Sequence, residues 1–562
     1  MARGKKQRQR RRVSQHWFCL SVACLLFLNY APVFAQRQVS SRQPLENTNS
    51  TAGESDANLS VEARAALDAA VAALQQNALP EAERDARRTI AVAPRSAVAH
   101  NLLGVILDRA GRTDNALAEF NTALRLNQNF VSARNNLGRL LAERGKTAEA
   151  IAEFTRVLQI DPNHLQAHYN LGALYGDAGD FVKAADQFAR ARALAPDDPQ
   201  LALAFLNVAY RANRAAEADA AADQVEHLVS SDPRALFTLA VALAQNSQYE
   251  RAARLFARVN EMAPHTYEVL YNLGIAFYNL DRNDEAARYL AEAADLNPAP
   301  AETHFRLALI ASARNDTVNA VEEFKHALER EPKNTTYHYM LGREYFRAGF
   351  WEGAINEYGA AIEIDPKQVA YYLGRANANY RKGEWLAAAA DFDQAAALDS
   401  SIKDIEYLQG YAHRAAGDFD RARALLEKFI AKNPDHVDAL ASLGYVAVEQ
   451  GRFEDAETPL KHALALEPDN VPVLYDYARL AVKQRQYEEA VARLQRVIEK
   501  NPTHTQAHYQ LFLAYSRLKQ TEKAAAELVE FKRLEALEKQ ATQERIRDEK
   551  IRTQQMLGQP AQ

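Results

Sequence analysis

Alanine recurs at every thirty-fourth position from Ala82 to Ala524, fourteen times without an insertion. A fixed period of that length confines the chain to an array of one repeated supersecondary unit, in which each copy buries its apolar face only against its neighbours. Other places keep the same phase. Twelve residues before the alanine the residue is small in most copies: Gly104, Gly138, Gly172, Ala240, Gly274, Ala308, Gly342, Ala376, Gly410, Gly444 and Ala478, with Leu206 and Phe512 the large exceptions. Four residues after it stands a large apolar side chain, as in Phe120, Phe154, Phe188, Phe256, Phe324, Tyr358 and Phe392. Twelve residues after it comes proline in ten copies, among them Pro94, Pro162, Pro332 and Pro468.

Val131 to His164 shows what one copy encodes. Two amphipathic helices are expected, with a turn at Glu143-Arg144-Gly145-Lys146 and a stop at Asp161-Pro162. The small residues allow two antiparallel helices to cross closely. The large residue four places on is expected to fill space against the next copy. Proline cannot continue a helix interior and marks the break between copies. The fifth repeat, Pro199 to Asp232, departs from the pattern: Leu206 takes the glycine place and Ser230 the proline place. Altered packing and ordinary drift both fit that departure.

Leu137-Gly138, Ala150, Phe154 and Pro162, taken in this phase, resemble the tetratricopeptide repeat. The resemblance covers residues 63–538 as fourteen repeats. It implies an all-α fold, a right-handed α-solenoid superhelix of 34-residue helix-turn-helix repeats whose first helices line an inner groove. The last repeat's second helix is expected to run on from Thr521 through LEALEKQATQERIRDEKIRTQQ, and residues 539–562 are read as a charged capping helix and tail.

The amino-terminal end differs in kind. Seven basic residues lie between Arg3 and Arg12, an apolar run follows from Trp17 to Tyr30, and Ala31-Pro32-Val33-Phe34-Ala35 has small residues where a signal peptidase requires them. Residues 1–35 are expected to be a signal peptide cleaved after Ala35, the alternative being an N-terminal membrane anchor, since Trp17–Ala35 is long enough to span. The protein is then exported, periplasmic or secreted, or else membrane-anchored by this segment. Cys19 and Cys24 both fall inside it, so the mature chain has no disulfide and no thiol chemistry. Residues 36–60 are polar and read as a disordered linker. Of 68 basic residues, the 61 left after residue 35 face 73 acidic ones, a balance that disfavours nucleic acid as a partner and leaves membrane contact to residues 1–35.

No phosphate-binding loop, dinucleotide turn, zinc-protease motif or nucleophile elbow occurs. The chain reads as no enzyme, with no cofactor and no metal. His164/His168 and His504/His508 have helical metal-ligand spacing, but they occupy the same repeat places as other histidines, which favours packing. Recognition of other proteins or peptides remains. In the family the resemblance points to, the second, fifth, ninth, twelfth and thirteenth places of the first helix face the groove. On this chain those places gather Tyr271, Tyr278, Phe305, Tyr339, Phe346, Tyr380, Tyr407, Tyr411, Tyr475 and Tyr509 with Arg343, Arg347, Arg381, Arg414, Arg479, Lys483 and Arg517. Rings give rigid contact area and guanidinium groups give forked bonds to carboxylates, so the expected ligand is an extended peptide with acidic side chains or a free C-terminus. The asparagine ladder of O-linked N-acetylglucosaminyltransferase repeats does not carry over, because only Asn136, Asn170 and Asn272 match it.

Overall fold

A computed structural model describes residues 59–556, all helical apart from short connections. The expected signal segment, nearly all of the linker, and the tail after Met556 lie outside the described residues. The described chain forms twenty-eight helices, paired as fourteen repeats, in two compact units divided between Ala263 and Pro264. It is an all-α solenoid within each unit.

Unit 1 holds six repeats: α1 (Val61–Gln75) and α2 (Leu79–Val92), α3 (Ala97–Arg109) and α4 (Thr113–Leu126), α5 (Val131–Glu143) and α6 (Thr147–Ile160), α7 (Leu165–Asp177) and α8 (Phe181–Leu194), α9 (Pro199–Arg211) and α10 (Ala215–Leu228), α11 (Pro233–Gln245) and α12 (Tyr249–Met262). Unit 2 holds eight: α13 (Tyr267–Asn279) and α14 (Asn283–Leu296), α15 (Ala301–Ala313) and α16 (Thr317–Arg330), α17 (Thr335–Ala348) and α18 (Trp351–Ile364), α19 (Val369–Lys382) and α20 (Trp385–Leu398), α21 (Ile405–Ala416) and α22 (Phe419–Lys432), α23 (Val437–Glu449) and α24 (Phe453–Leu466), α25 (Val471–Lys483) and α26 (Tyr487–Lys500), α27 (Thr505–Arg517) and α28 (Thr521–Met556).

The helix ends follow from local chemistry. Asp161, the residue before Pro162, is extended at φ −128° and ψ 93°, because a following proline excludes the helical region. Each first helix ends in one left-handed residue. Gly111, Gly145, Gly179, Gly349, Gly383, Gly417 and Gly451 take that place in seven repeats, and Asn77, Asn213, Ser247, Asp281, Asn315, Arg485 and Lys519 take it in the others. Ser60, Ser96, Asn334 and Asn470 cap first helices through their side chains.

The core corrects one expectation. The large residue after the conserved alanine faces the glycine of its own repeat. A β-carbon on Gly138 would stand 2.9 Å from the Phe154 ring, and one on Gly104 2.6 Å from Phe120. In an antiparallel pair joined by a short turn, those two places lie opposite each other. Tyr358 does both jobs, closing on Gly342 of its own repeat (2.9 Å) and on Gly374 of the next (2.7 Å). The fifth repeat keeps the helix pair by exchanging the two volumes: Leu206 replaces the glycine, Ala222 replaces the aromatic ring, and both are fully buried.

Candidate functional site

The candidate groove runs along the first helices of unit 2. Phe305 belongs to the core. It is 4% exposed, between Tyr337 at 4.8 Å and Phe324 at 5.8 Å. The other rings at the fifth place are half-buried, and Tyr339, Tyr407 and Tyr475 seal their repeat to the next. Tyr339 packs on Tyr358 (5.8 Å) and on Tyr371 of the next first helix (5.4 Å). Tyr407 lies against Phe429 (5.5 Å) and His436 (4.9 Å), Tyr475 against His504 (4.6 Å), and Tyr509 against Phe531 of the last helix (5.0 Å). Tyr271 stacks on Tyr267 at 5.8 Å, Tyr278 lies half-buried two turns further along the same helix face, and Phe346 meets Trp351 edge-on at 5.2 Å. Burial raises the phenols of Tyr339, Tyr407 and Tyr475, so all three are neutral hydroxyl donors at neutral pH.

One stretch forms a continuous ladder across four successive first helices, α19, α21, α23 and α25. Tyr380 packs on Tyr411 at 5.2 Å. The Arg414 guanidinium lies over Tyr411 at 4.7 Å and over Tyr445 at 5.0 Å, and Arg479 covers the Tyr445 ring at 5.1 Å. Burial, with the Tyr411 hydroxyl beside it, raises the Tyr380 phenol, and the Arg414 charge opposes that rise. Arg414 holds no carboxylate among the described residues, and its Nε is buried without a hydrogen-bond partner.

The basic residues divide into two groups. Arg347 is bound to Glu344 at 2.5 Å and to the Ser312 carbonyl at 3.0 Å; Glu344 is 2% exposed and accepts from the Ser312 hydroxyl at 2.6 Å. Arg479 holds Glu449 and Asp476. Those two guanidinium groups already neutralise acids of the fold. Arg343 donates to the Met340 sulfur at 3.2 Å and lies near the Tyr339 phenol, and Arg381, Lys483 and Arg517 are exposed; none of the four has an ion-paired acid among the described residues. The Glu344 to Arg347 spacing is one helical turn and was readable in the sequence. That Glu344 is buried was not.

The histidines are committed to structure. His164 and His504 accept from the backbone N–H of Ala167 (3.1 Å) and Ala507 (3.2 Å) as helix caps. His168 spans Gln187 and the Pro162 carbonyl, and His508 spans Glu527 and the Pro502 carbonyl. Among the described residues no group of three potential metal ligands occurs, and no helix is long and apolar enough to cross a membrane.

Comparison with known families agrees with this geometry. Tetratricopeptide-repeat models match residues 67–129, 107–164, 203–265, 271–335 and 407–471, and related repeat models match 342–383, 141–206, 459–508 and 481–530. The chain belongs to the tetratricopeptide repeat family. No catalytic family is indicated. Similar solved structures include Naa15/Naa10 bound to HypK-THB (14% identity, 89% of this chain and 100% of that one, TM-score 0.32). The Cut9-Hcn1 hetero-tetramer of APC/C is another (14%, 81% and 96%, TM-score 0.30). A tetratricopeptide repeat protein from Parabacteroides merdae is a third (16%, 44% and 98%, TM-score 0.32). Likeness at that level carries no argument about partners. No curated protein matches the chain significantly.

Proposed function

We propose that this tetratricopeptide protein is a non-catalytic scaffold that holds an extended segment of a partner protein in the unit 2 groove, in an exported compartment. The observation that carries the reading is the ladder from Tyr380 to Arg479. Rings fixed by neighbouring repeats present rigid area, and Arg414, clamped between two of them with the Tyr380 hydroxyl beside it, has guanidinium donors that form no ion pair among the described residues. A carboxylate, from an acidic side chain or a C-terminus, matches those donors. Arg343 and Arg381 extend the same chemistry towards the preceding repeats. Support for export comes from the basic, apolar and small-residue order of residues 1–35.

Partner capture from the native host, followed by identification of the co-purified chains, tests the reading. Reversing charge at Arg343, Arg381 and Arg414 together is expected to lower partner binding about a hundredfold while helicity stays unchanged. Arg347 is excluded from that set because Glu344 would lose its counter-charge. Undiminished capture by the triple variant removes the groove as the binding surface. A protein whose native N-terminus is Gln36 excludes the membrane-anchored alternative.

A further inference from the structure

Each repeat of a solenoid touches only its neighbours along the array. The last helix departs from that rule. α28 packs on α27 within the fourteenth repeat, and it also reaches α16, the second helix of the eighth. Its length makes this possible: α28 has 36 residues where α26, the preceding second helix, has 14. At 1.5 Å per residue the excess is about 33 Å, enough to carry the helix out of its own repeat.

The side chains mark where it leaves and where it is covered again. Leu534 is 3% exposed in the core, and Glu538 accepts from the Thr505 hydroxyl at 2.6 Å. Beyond Glu538, residues 539–544, Ile546 and Arg547 are exposed, and then Ile551 is half-buried. A helix end projecting into water would leave that isoleucine as open as Ile546, which is 59% exposed. The extension suits a docking that can be undone. Ala541, Ile546 and Ile551 stand five residues apart, and five residues rotate a helix by about 140°, so they form no apolar stripe. Between Glu544 and Arg552 four basic residues are mixed with three acidic ones, and α16 carries exposed Glu322 and Glu329.

Between the two joined repeats, α15 to α27 carry every candidate groove residue from Phe305 to Arg517. Tying the eighth repeat to the fourteenth fixes the curvature of that arc, and curvature sets the spacing of the side chains on its first helices. We propose that α28 beyond Glu538 is a strap: docked on α16, it holds the two repeats at one separation and keeps the groove between them at a binding-ready curvature. An untied arc flexes, and a partner must order it on binding, which lowers affinity. Strap docking and partner binding therefore favour each other. The closure stands on the approach to α16, and its effect on binding rests on the groove reading.

Pulsed electron paramagnetic resonance on spin-labelled cysteines tests the strap, in the full chain with Cys19 and Cys24 replaced by serine. Labels at E322C on α16 and K532C on α28 are expected to give one narrow distance distribution. Ending the chain after Gln540 is expected to abolish it. I551D, at the covered position, is expected to do the same with helicity unchanged, whereas I546D, at an exposed position, is expected to leave it intact. A parent distribution as broad as that of the shortened chain overturns the proposal, and so does an I551D distribution identical to the parent's. Capture of the native partner by the shortened chain is expected to fall about fivefold. Equal capture by parent and shortened chain overturns the strap's role in binding. Capture by neither removes the groove reading instead, and the label distances still decide the strap.

Discussion

The first helices of the two units share a repeat and differ in what they present. In unit 1 the corresponding face is amide-lined. Asn136 donates to Asn101 at 3.0 Å, Gln166 to Asn170 at 3.0 Å, and Asn246 to Asn207 at 3.0 Å, while Arg139 is held by Asp108 and Glu143. Asn135 Oδ1 and Asn170 Nδ2 stay buried without partners. In unit 2 the place of Asn101 and Asn135 carries Tyr271, Phe305, Tyr339, Tyr407, Tyr475 and Tyr509, and the place of Arg139 and Asn207 carries Arg343, Tyr411, Tyr445 and Arg479, of which Arg343 forms no ion pair among the described residues. The backbone is therefore indifferent to the chemistry of its groove places. Glycine, alanine and the large ring fix how helices pack, and the remaining places are free to be polar in one unit and aromatic or basic in the other.

If packing is common to both units, equivalent core losses must cost the same. Phe120→Ala in unit 1 and Phe324→Ala in unit 2 each remove a fully buried ring and are expected to cost about 3–5 kcal/mol. Chemical denaturation followed by circular dichroism measures both, and costs differing by more than about 2 kcal/mol would break the equivalence. The turns should behave oppositely. Arg485→Gly relieves a left-handed side chain and is expected to stabilise by about 0.5–1 kcal/mol, whereas Gly145→Arg imposes one and is expected to cost about 1–2 kcal/mol. The smallest effect concerns pH. His338 in unit 2 places Nδ1 on Glu357 at 2.7 Å and Nε2 on the Pro332 carbonyl at 3.0 Å, and the Glu357 hydrogen bond raises its pKa. Because the folded state holds that proton more tightly, the stabilisation is complete below the ordinary histidine value near about 6.5 and fades as pH rises through the raised folded value. Unfolding midpoints of the parent and of His338→Gln should converge as pH climbs. A constant gap would mean that His338 contributes by packing alone.

The fold was legible in the sequence because its determinants are local and repeated. Ala82 to Ala524 in one phase dictates the helix pairs, a proline such as Pro162 forces the preceding residue out of the helical region, and Gly145 permits the turn. The groove was legible only as a set of residue types at given places. Sequence could not separate Arg414, clamped between two rings and in no ion pair among the described residues, from Arg347, spent on a buried Glu344, because both are arginines at groove places of the first helix. Nor could it show that Phe154 closes on Gly138 of its own repeat, or that Leu206 and Ala222 exchange volumes across that contact. The period alone determined where helices begin and end. Which charges remain unspent was decided by tertiary structure, since pairing depends on distances between different helices that no spacing along the chain records.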